Sequence, residues 1–598
     1  MITALEGAFQ ALQAGQLAAA ESACRGILAA SPSDAKAWQL LGIVLHRSGR
    51  LEEAETALAR AVALAPRNAE IRTNRALLMS TRGQSEAARG ELEKALELDP
   101  RLRPARLALS RLCNETRQYS AAAVHARKLL AANQNDSEAW SALGTASFGA
   151  RRTAEARQAF ERAAALSPGY GAARYNLATV LCEEERSEEA LAQANAARQL
   201  GVDHRELSLT RARALIQLDR FEEAERELVT VLAPRPGDVE TQLLLAQLRH
   251  IRGDTDFARS FREAAEQPDA PRHVRTAYAA TLQQGGDLTR AEHLLRNLLR
   301  ESGPDPQVLA PLVILLQEQA RPVEATGFAR QAVAAQPDEA DAAENLVSAL
   351  LSVGEARETL PIIERFRAAQ PHDLRWVTYR ADAARQLNEG LFSEWCDVER
   401  LVRVYDLDPP AGFRTIEEFH AALRPELQSR HQQASHPLHQ SMRNGTQSSR
   451  GLLPDAAQAV QAFLKAIEAP IAAYQAEVGR DPSHPLLARN ANPARVVGCW
   501  SVRLRRGGFH VNHIHPQGWL SSAYYVSVPA ESDDPDSRGG WIKFGEPRFA
   551  APGATPRRLV QPRPGRLVLF PSYLWHGTVP LRNDEIRLTV SFDAVPLL

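Results

Sequence analysis

A cluster of histidines near the carboxy terminus is the part of this sequence most able to carry out chemistry. His510, His513 and His515 lie within the segment Gly507–Pro516, and His576 follows later in the chain. In an extended chain, residues i and i+2 project from the same face, so His513 and His515 can offer two imidazoles to one metal ion. His576 would complete a facial set of three ligands and leave the other coordination positions open.

Other polar residues near this cluster have a simpler interpretation. His510 lies between Phe509 and Val511, as an ordinary strand residue would, so we do not include it among the predicted metal ligands. Charges on an alternating strand usually form its solvated face, and we interpret three nearby arginines in this way: Arg503, Arg505 and Arg506.

Short strands must position these histidines. From Val497 onward, β-branched and aromatic runs are separated by clusters of Gly, Pro, Asp and Asn. The predicted strands are Val497–Leu504, Leu520–Val528, Trp541–Phe544, Arg566–Phe570 and Ile586–Phe592. Their spacing predicts a jelly roll or another closed β-architecture. Before them, Asp455–Val478 has the apolar spacing of one amphipathic helix, which we expect to buttress the sheet.

The first two thirds of the chain follow a repeat of 34 residues. Prolines mark it at Pro32, Pro66, Pro100, Pro168 and Pro236 and, after small slips around Pro268 and Pro304, at Pro337 and Pro371. Two units carry the tetratricopeptide pattern: Trp38, Leu41, Gly42, Leu45, Ala54, Leu58, Ala61 and Pro66, and then Trp140, Leu143, Gly144, Ala156, Phe160, Ala163 and Pro168. Small residues such as Gly42 allow two helices to approach closely, and proline ends the second helix.

The repeat predicts how the chain is divided into domains. Residues 1–375 are interpreted as an all-α tetratricopeptide solenoid of roughly eleven helix pairs. Residues 376–429 are a connector with the last helices, one of them over Trp395–Leu407, and a β-domain occupies residues 430–598. The expected fold class is therefore multidomain α + β. We expect the concave face of the solenoid to bind a peptide or protein; whether the repeats only hold the β-domain, or form a homodimer, stays open.

Composition excludes several classes of partner. Lys plus Arg number 71 against 72 for Asp plus Glu, so no overall charge would attract nucleic acid or an anionic membrane. The five cysteines are widely spaced, which argues against a disulfide framework or a thiolate zinc site. The first residues do not have the pattern of a secretory signal, and Val308–Leu316, the most apolar stretch, is too short for a membrane helix. We expect a cytoplasmic protein.

Several motifs of the β-domain occur together in one known family. They are His513-x-His515, the strand Ser521–Val526, the run Gly540–Arg548, Gly565-x4-Phe570-Pro571-x4-His576-Gly577 and Arg587-x-Thr589, preceded by His436-Pro437 and the string Gln440–Gln447. Residues from about 430 to 598 resemble the 2-oxoglutarate, Fe(II) oxygenases that are often fused to tetratricopeptide repeats. The resemblance implies a double-stranded β-helix, or jelly roll, that uses Fe(II) as cofactor and 2-oxoglutarate as cosubstrate.

The resemblance also implies roles for individual residues. His513 and His576 match the family's iron ligands, and Arg587 matches the arginine that pairs with the far carboxylate of 2-oxoglutarate. Thr589, on the same strand face, is expected to add a hydroxyl, and Tyr525 is favoured over the preceding tyrosine for another hydrogen bond. The implied reaction is oxidative decarboxylation of 2-oxoglutarate coupled to hydroxylation of a peptide or protein side chain.

One position departs from the wider superfamily. Most members place aspartate or glutamate two residues after the first histidine, where this chain has His515. A neutral imidazole there removes one negative charge from the metal site and changes its redox properties. Glu546 is a candidate for supplying an acid from elsewhere, although its Gly-Glu-Pro context indicates a turn. We expect three histidine ligands.

Three other functions fit parts of the pattern. The spacing Gly507-x5-His513-x-His515 matches a three-histidine cupin dioxygenase that works without 2-oxoglutarate, but Trp519 and Leu520 stand where its glutamate would be. A non-catalytic tetratricopeptide scaffold would have no use for intact ligands or for Arg587. A zinc hydrolase suits three histidines and a water molecule, although no general base is evident near the cluster.

Overall fold

The structure is a computed structural model that describes residues 4–438, 440–490 and 493–597. The chain divides into two compact units, Met1–Arg211 and Ala212–Leu598. The first three residues of the predicted solenoid lie outside the described part. Within that part, no helix combines the length and the apolar character needed to cross a lipid bilayer.

The first unit is built from pairs of α-helices that pack closely. A side chain added at Gly42 would place its Cβ 2.5 Å from Leu58 Cγ, and one added at Gly144 would lie 2.7 Å from the Phe160 ring. The tetratricopeptide pattern predicts this close approach. The helices are α1 Ala4–Gln13, α2 Leu17–Ala30, α3 Ala35–Arg47, α4 Leu51–Leu64, α5 Ala69–Thr81, α6 Ser85–Leu98, α7 Arg103–Glu115, α8 Tyr119–Ala132, α9 Ser137–Gly149, α10 Thr153–Leu166, α11 Gly171–Glu183 and α12 Ser187–Gln199.

One hydrogen bond recurs at the same position of successive repeats in the first unit. The Trp38 indole donates to the Pro32 carbonyl, and three repeats later the Trp140 indole donates to the Gln134 carbonyl, both at 2.8 Å. Arginines at the equivalent position donate to the carbonyls of three further prolines: Pro66, Pro100 and Pro168. Gln134 replaces proline in its repeat without loss of this bond, because the acceptor is a backbone carbonyl.

The second unit begins with further α-helices. One of them, α16, has only seven residues and lies next to Pro268, where the repeat interval slips. The helices are α13 Arg205–Gln217, which spans the boundary between the units, α14 Phe221–Leu232, α15 Val239–Ile251, α16 Arg259–Ala265, α17 Arg272–Gln284, α18 Leu288–Ser302, α19 Pro306–Glu318, α20 Pro322–Ala335, α21 Ala340–Ser352, α22 Ala356–Ala369 and α23 Arg375–Gln386.

The segment after α23 corrects one prediction. It contains α24 Leu391–Trp395, α25 Val398–Leu401, β1 Arg403–Asp406 and α26 Ile416–Gln428. The single helix predicted over Trp395–Leu407 is therefore wrong. Val404 and Tyr405 favour an extended chain, and β1 pairs antiparallel with a later strand at the edge of the sheet.

Antiparallel strands form two sheets in the carboxy-terminal part, as the predicted jelly roll requires. The strands after β1 are β2 Met442–Gln447, β3 Ala494–His510, β4 Leu520–Ser527, β5 Ile542–Phe544, β6 Arg558–Val560, β7 Arg566–Pro571, β8 His576–Thr578 and β9 Arg587–Pro596. The larger sheet has the order β1-β7-β4-β9-β3-β2, and the smaller has the order β6-β5-β8.

Some strands differ in extent from their predictions. β3 extends beyond both ends of the predicted Val497–Leu504, and β9 continues past Phe592 to Pro596. β2, β6 and β8 are missing from the predictions; β6 and β8 have three residues each, too few to show an alternation. The longer β9 is important for the site, because it adds Asp593 to the face that carries Arg587.

The helix predicted over Asp455–Val478 is two helices that pack on the larger sheet. These are α27 Gln458–Ala466 and α28 Glu468–Val478. Pro470 has no N–H to donate to the Ala466 carbonyl, which explains the interruption. Phe463 of α27 packs against Tyr524 of β4 with ring centroids 4.9 Å apart. The expected buttress is present, and it covers the face of β4 that carries Tyr524.

Candidate metal centre

Backbone pairing brings the two histidine segments together. The His513 N–H donates to the His576 carbonyl at 2.9 Å, and the His576 N–H donates to the His513 carbonyl at 3.1 Å. The His515 N–H donates to the Ser572 carbonyl at 2.8 Å. His576 is the first residue of β8, so the centre forms where the smaller sheet meets the segment that follows β3.

The three imidazoles of this segment and of β8 form one cluster. One nitrogen from each of His513, His515 and His576 lies within 4.8 Å of the others. The ring centroids are 4.2 Å apart between His513 and His576, and 5.2 Å apart between His515 and each of the other two. The structure thus brings together the residues that the sequence predicts as ligands; their binding of a metal stays a prediction.

Hydrogen bonds fix which nitrogen of each ring is free. His513 Nδ1 lies 2.9 Å from the Val511 carbonyl, and His576 Nδ1 lies 2.9 Å from the Leu574 carbonyl. A carbonyl can only accept, so both Nδ1 atoms carry the proton. His515 Nδ1 lies 2.8 Å from both carboxylate oxygens of Asp593. All three rings therefore keep Nε2 available, the arrangement in which histidine binds a metal with its other nitrogen held.

Burial also keeps two of the imidazoles, those of His513 and His576, uncharged. It lowers the pKa of His513 to about 3, and the neighbouring His515 acts in the same direction. It lowers the pKa of His576 well below its ordinary value, again with help from the adjacent histidines. Only neutral imidazole can bind a metal, so these two rings need not lose a proton first.

Asp593 contacts one of the clustered histidines, and the sequence analysis missed it. Its carboxylate accepts from His515 and, at 2.7 Å, from the Ser521 hydroxyl, which also lies 2.8 Å from Ser572 Oγ. The alternation that places Arg587 and Thr589 on one face of β9 extends to Asp593, but the predicted strand ended one residue too early. A negative charge therefore lies next to His515, the position where the wider superfamily pattern predicts an acid.

Glu546, the other acid considered, has a different role. Its carboxylate accepts from Asn512 Nδ2 at 2.9 Å and pairs with Lys543. Asn512 also donates to the Pro547 carbonyl at 3.1 Å. Glu546 is not part of the histidine cluster within the described residues. It holds the residue that precedes His513.

Arg587 is buried in the same region without an acceptor for two of its nitrogens. Arg587 is the first residue of β9, and it is 3% exposed. Nε and Nη1 are buried and have no hydrogen-bond partner among the described residues. The guanidinium carbon lies 5.0 Å from the centroid of the Tyr525 ring. A buried cation without an acceptor is costly, so this environment suits an anionic ligand such as a carboxylate.

Of the other two residues predicted to bind 2-oxoglutarate, Thr589 lines the cavity and Tyr525 does not. Thr589 lines the cavity, with its hydroxyl 3.4 Å from the Val502 carbonyl. Tyr525 is fully buried next to Arg587; burial raises its pKa, and the guanidinium acts against this shift. The Tyr525 side chain does not line the cavity, so its predicted hydrogen bond to a ligand stays a prediction. Tyr524 points to the opposite face, where its hydroxyl lies 2.7 Å from His420 Nε2.

The cluster and Arg587 share one cavity of about 290 Å³. Its lining residues are Gln440, Ser441, Gln447, Trp500, His510, His513, His515, Ser522, Ala523, Ile542, His576, Gly577, Thr578, Arg587, Thr589 and Ser591. His510 lies on this wall, and its ring is nearly parallel to that of His513 at 5.8 Å. Ser441 Oγ lies 3.0 Å from His510 Nδ1 and 3.3 Å from His513 Nε2. Among the described residues, His510 is outside the group of three.

Family models match two kinds of domain in this chain. One tetratricopeptide repeat model matches residues 11–78, 81–145 and 147–208, and a second matches residues 209–271. The model described as "Putative 2OG-Fe(II) oxygenase" matches residues 498–593, which include the three clustered histidines, Arg587 and Asp593. The chain thus combines tetratricopeptide repeats with a domain of this oxygenase family, and the resemblance seen in the sequence is confirmed.

Several solved structures match this chain at low identity. A tetratricopeptide repeat protein from Parabacteroides merdae is 18% identical over 41% of this chain and 97% of its own, with a TM-score of 0.35. Yeast Tom70 is 15% identical over 64% of this chain and 96% of its own, with a TM-score of 0.38. PilF of Pseudomonas aeruginosa is 21% identical over 35% and 95%, with a TM-score of 0.32. No curated protein matches the chain.

Proposed function

We propose that this protein is an Fe(II)- and 2-oxoglutarate-dependent dioxygenase that hydroxylates a side chain of a peptide or protein. One observation carries the proposal. Arg587, a buried arginine with two nitrogens that have no partner among the described residues, shares a cavity with three imidazoles whose Nδ1 atoms are engaged, which leaves Nε2 of each to bind a metal. A metal site alone would not need this arginine, whereas a metal site that also takes an anionic cosubstrate would.

The three histidines are already arranged to bind a divalent metal ion. His513, His515 and His576 would hold Fe(II) through Nε2, because their Nδ1 atoms are engaged. When bound, Fe(II) and 2-oxoglutarate supply an oxidation that uses dioxygen, releases succinate and carbon dioxide and leaves one oxygen atom on the substrate. Burial lowers the pKa of His513 and of His576, so protons compete less with the metal for the nitrogens of these two rings.

Arg587 and Thr589 would hold the far carboxylate of 2-oxoglutarate. The guanidinium presents donors in a planar fork that matches a carboxylate, and the nitrogens Nε and Nη1 have no other partner among the described residues. Both residues lie on the cavity-facing side of β9. Tyr525 would act by packing against the guanidinium and fixing its plane.

Asp593 would adjust the charge of the metal site. Its bond to His515 Nδ1 makes that imidazole a stronger ligand and sets its orientation. The site would thereby recover part of the negative charge that a carboxylate ligand supplies in other members of the superfamily. Ser521 holds Asp593 in place through its hydroxyl.

A peptide or protein is the substrate class that the architecture favours. Tetratricopeptide repeats occupy much of the chain, and repeats of this kind commonly present an extended concave surface to a polypeptide. In the cavity, Gln440, Gln447 and Trp500 are not needed for the metal or for the carboxylate, so they are available to contact a substrate side chain.

The first test is turnover of 2-oxoglutarate. Purified protein with Fe(II), air and 2-oxoglutarate should release succinate, and Arg587→Ala should reduce this release by at least about tenfold at limiting 2-oxoglutarate, because a buried charged pair would be lost. Arg506→Ala is the matched control, since the Arg506 side chain is 70% exposed. Consumption of dioxygen without succinate, unaffected by Arg587→Ala, would instead support a cupin dioxygenase.

The second test concerns the substrate. Tryptic peptides of a whole-cell lysate should raise succinate release, and mass spectrometry should find peptides that gain one oxygen atom. These products should be absent with His576→Ala. Succinate release without any oxidised peptide would contradict a peptide substrate, and the absence of both activities would favour the scaffold.

A further inference from the structure

Helix α23 contacts both segments that carry the clustered histidines. The Leu374 N–H, at the start of the helix, donates to the carbonyl of Pro516, the residue after His515, at 3.2 Å. One turn later, the Thr378 hydroxyl donates to the Tyr573 carbonyl at 2.7 Å. After another turn, the Asp382 carboxylate accepts from Trp575 Nε1 at 2.7 Å. These residues are spaced by four and so lie on one face of the helix.

Apolar packing joins the same elements. Ile514, which lies between two of the histidines, and Trp575, which precedes the third, both pack in a cluster with Trp376 and Tyr379 of α23. Phe549 also belongs to this cluster, and its ring is perpendicular to that of Trp575 with centroids 6.0 Å apart. Residues of α21 and α22 also belong to the cluster. The helices therefore pack against Ile514 and Trp575, which are sequence neighbours of the three histidines.

The polar contacts of this interface are buried. Thr378 is 3% exposed, Asp382 is 2% exposed and Trp575 is 5% exposed. A buried donor that loses its acceptor keeps its desolvation cost, so removal of the Asp382 carboxylate would leave the Trp575 indole N–H unsatisfied. The loop would then move to find another partner. Because His576 follows Trp575 directly, such a movement would displace a metal ligand.

We propose that helix α23 is part of the metal centre, and that Asp382 is a positioning residue that acts through Trp575 on His576. Thr378 acts in the same way through the Tyr573 carbonyl. The inference rests on the metal site of the proposed function and is independent of 2-oxoglutarate. If α23 only attached the helices to the β-domain, its substitution would change stability without changing how the metal is bound.

The experiment uses the full chain, freed of metal, and Co(II) as the sole probe. Co(II) binding is followed by its visible ligand-field spectrum, which reports both affinity and coordination geometry, and thermal unfolding is measured in parallel. The variants are Asp382→Ala, Asp382→Asn and Thr378→Val. Arg380→Ala is the control on the same helix, because its side chain pairs with Glu364 and Glu389.

Asp382→Ala should weaken Co(II) binding by about tenfold and alter the spectrum, as loss of an outer partner of a ligand typically does. Asp382→Asn should restore both, since the amide oxygen can still accept from Trp575. Arg380→Ala should lower thermal stability and leave affinity and spectrum unchanged. Affinity and spectrum equal to the parent in a folded Asp382→Ala protein would overturn the proposal.

Thr378→Val keeps the inference testable if Asp382→Ala does not fold. It removes one hydroxyl with little change of shape, and it should weaken Co(II) binding by about threefold, less than loss of a charged partner. Unchanged binding in this variant would then overturn the proposal. The two proposals also fail separately. A parent that binds Co(II) but does not respond to 2-oxoglutarate contradicts the function alone, whereas a parent that binds no metal contradicts both.

Discussion

Two groups of residues share the cavity, and they differ in how far their polar atoms are satisfied. Each clustered histidine has its Nδ1 engaged by a carbonyl or by Asp593, and burial keeps His513 and His576 neutral. Arg587 is charged and buried, and two of its nitrogens have no partner among the described residues. The hydrogen bonds of the histidines are thus already formed in the free protein, whereas Nε and Nη1 of the arginine would gain acceptors from a bound anion. Metal binding and cosubstrate binding should therefore respond to different substitutions.

The largest effect is expected from loss of a histidine of the cluster. His576→Ala leaves two imidazoles, and Fe(II) binding should weaken by more than about 100-fold, beyond the effect of losing an outer partner. Iron per chain after desalting measures this. His510→Ala is the control, because His510 lies on the same cavity wall outside the cluster. Similar iron retention in both variants would refute the ligand assignment.

Arg587→Met should stabilise the ligand-free protein but remove the stabilisation that 2-oxoglutarate gives. In the ligand-free protein it removes a buried charge that lacks acceptors, so the free energy of unfolding should rise by about 1 kcal/mol. With metal present, 2-oxoglutarate at about 100 times its Kd should stabilise the parent by about 2.7 kcal/mol and leave the variant unaffected. Thermal unfolding with and without 2-oxoglutarate measures both effects. A destabilised ligand-free variant would mean that the guanidinium is already satisfied in the free protein, as the histidines are.

Asp593→Asn should have an intermediate effect on the histidine side alone. The amide can still accept from His515 Nδ1, but the negative charge is lost, so metal affinity should fall by about tenfold. Competition titration with a metal-binding dye measures this change. Ser521→Ala, which leaves the carboxylate in place, should have a smaller effect. Equal effects of both substitutions would show that the hydrogen-bond network matters and that the charge does not.

The smallest effect concerns a histidine outside the cavity that burial also keeps neutral. Burial lowers the pKa of His420 to about 4, and its Nε2 contacts the Tyr524 hydroxyl. The unfolded chain binds a proton near pH 6.5 and the folded chain does not, so stability falls as pH decreases through this window. Replacement by glutamine should reduce the loss between pH 7 and 5.5 by about 1 kcal/mol. Identical pH profiles of unfolding would exclude His420 as a source of acid sensitivity.

The helical part and the histidine cluster could be predicted because both depend on local spacing. The interval of 34 residues and the pair of Gly42 with Leu58 define a helix pair without knowledge of the rest of the chain. Likewise, His513 and His515 share a face because they are two residues apart. Only His576 depends on a tertiary contact to reach them, and its place in the cluster was predicted from the family resemblance.

The parts that the sequence did not predict depend on contacts between distant segments. Asp593 became recognisable only because β9 is longer than the alternation of β-branched residues suggested. The contact of Asp382 with Trp575 joins residues that are 193 positions apart, and no pattern in either segment indicates it. The break before Pro470 is different, because the missing N–H of proline could have predicted it from sequence alone.

The central claim is that the cavity binds a metal and 2-oxoglutarate together through the histidines and Arg587. Anaerobic titration of the Fe(II)-loaded protein with 2-oxoglutarate tests it most directly, because chelation of Fe(II) by the cosubstrate gives a weak visible charge-transfer band. We expect this band in the parent and in Arg506→Ala. In Arg587→Ala it should need at least about tenfold more 2-oxoglutarate. No band in the parent, or equal titration curves in all three proteins, would contradict the account.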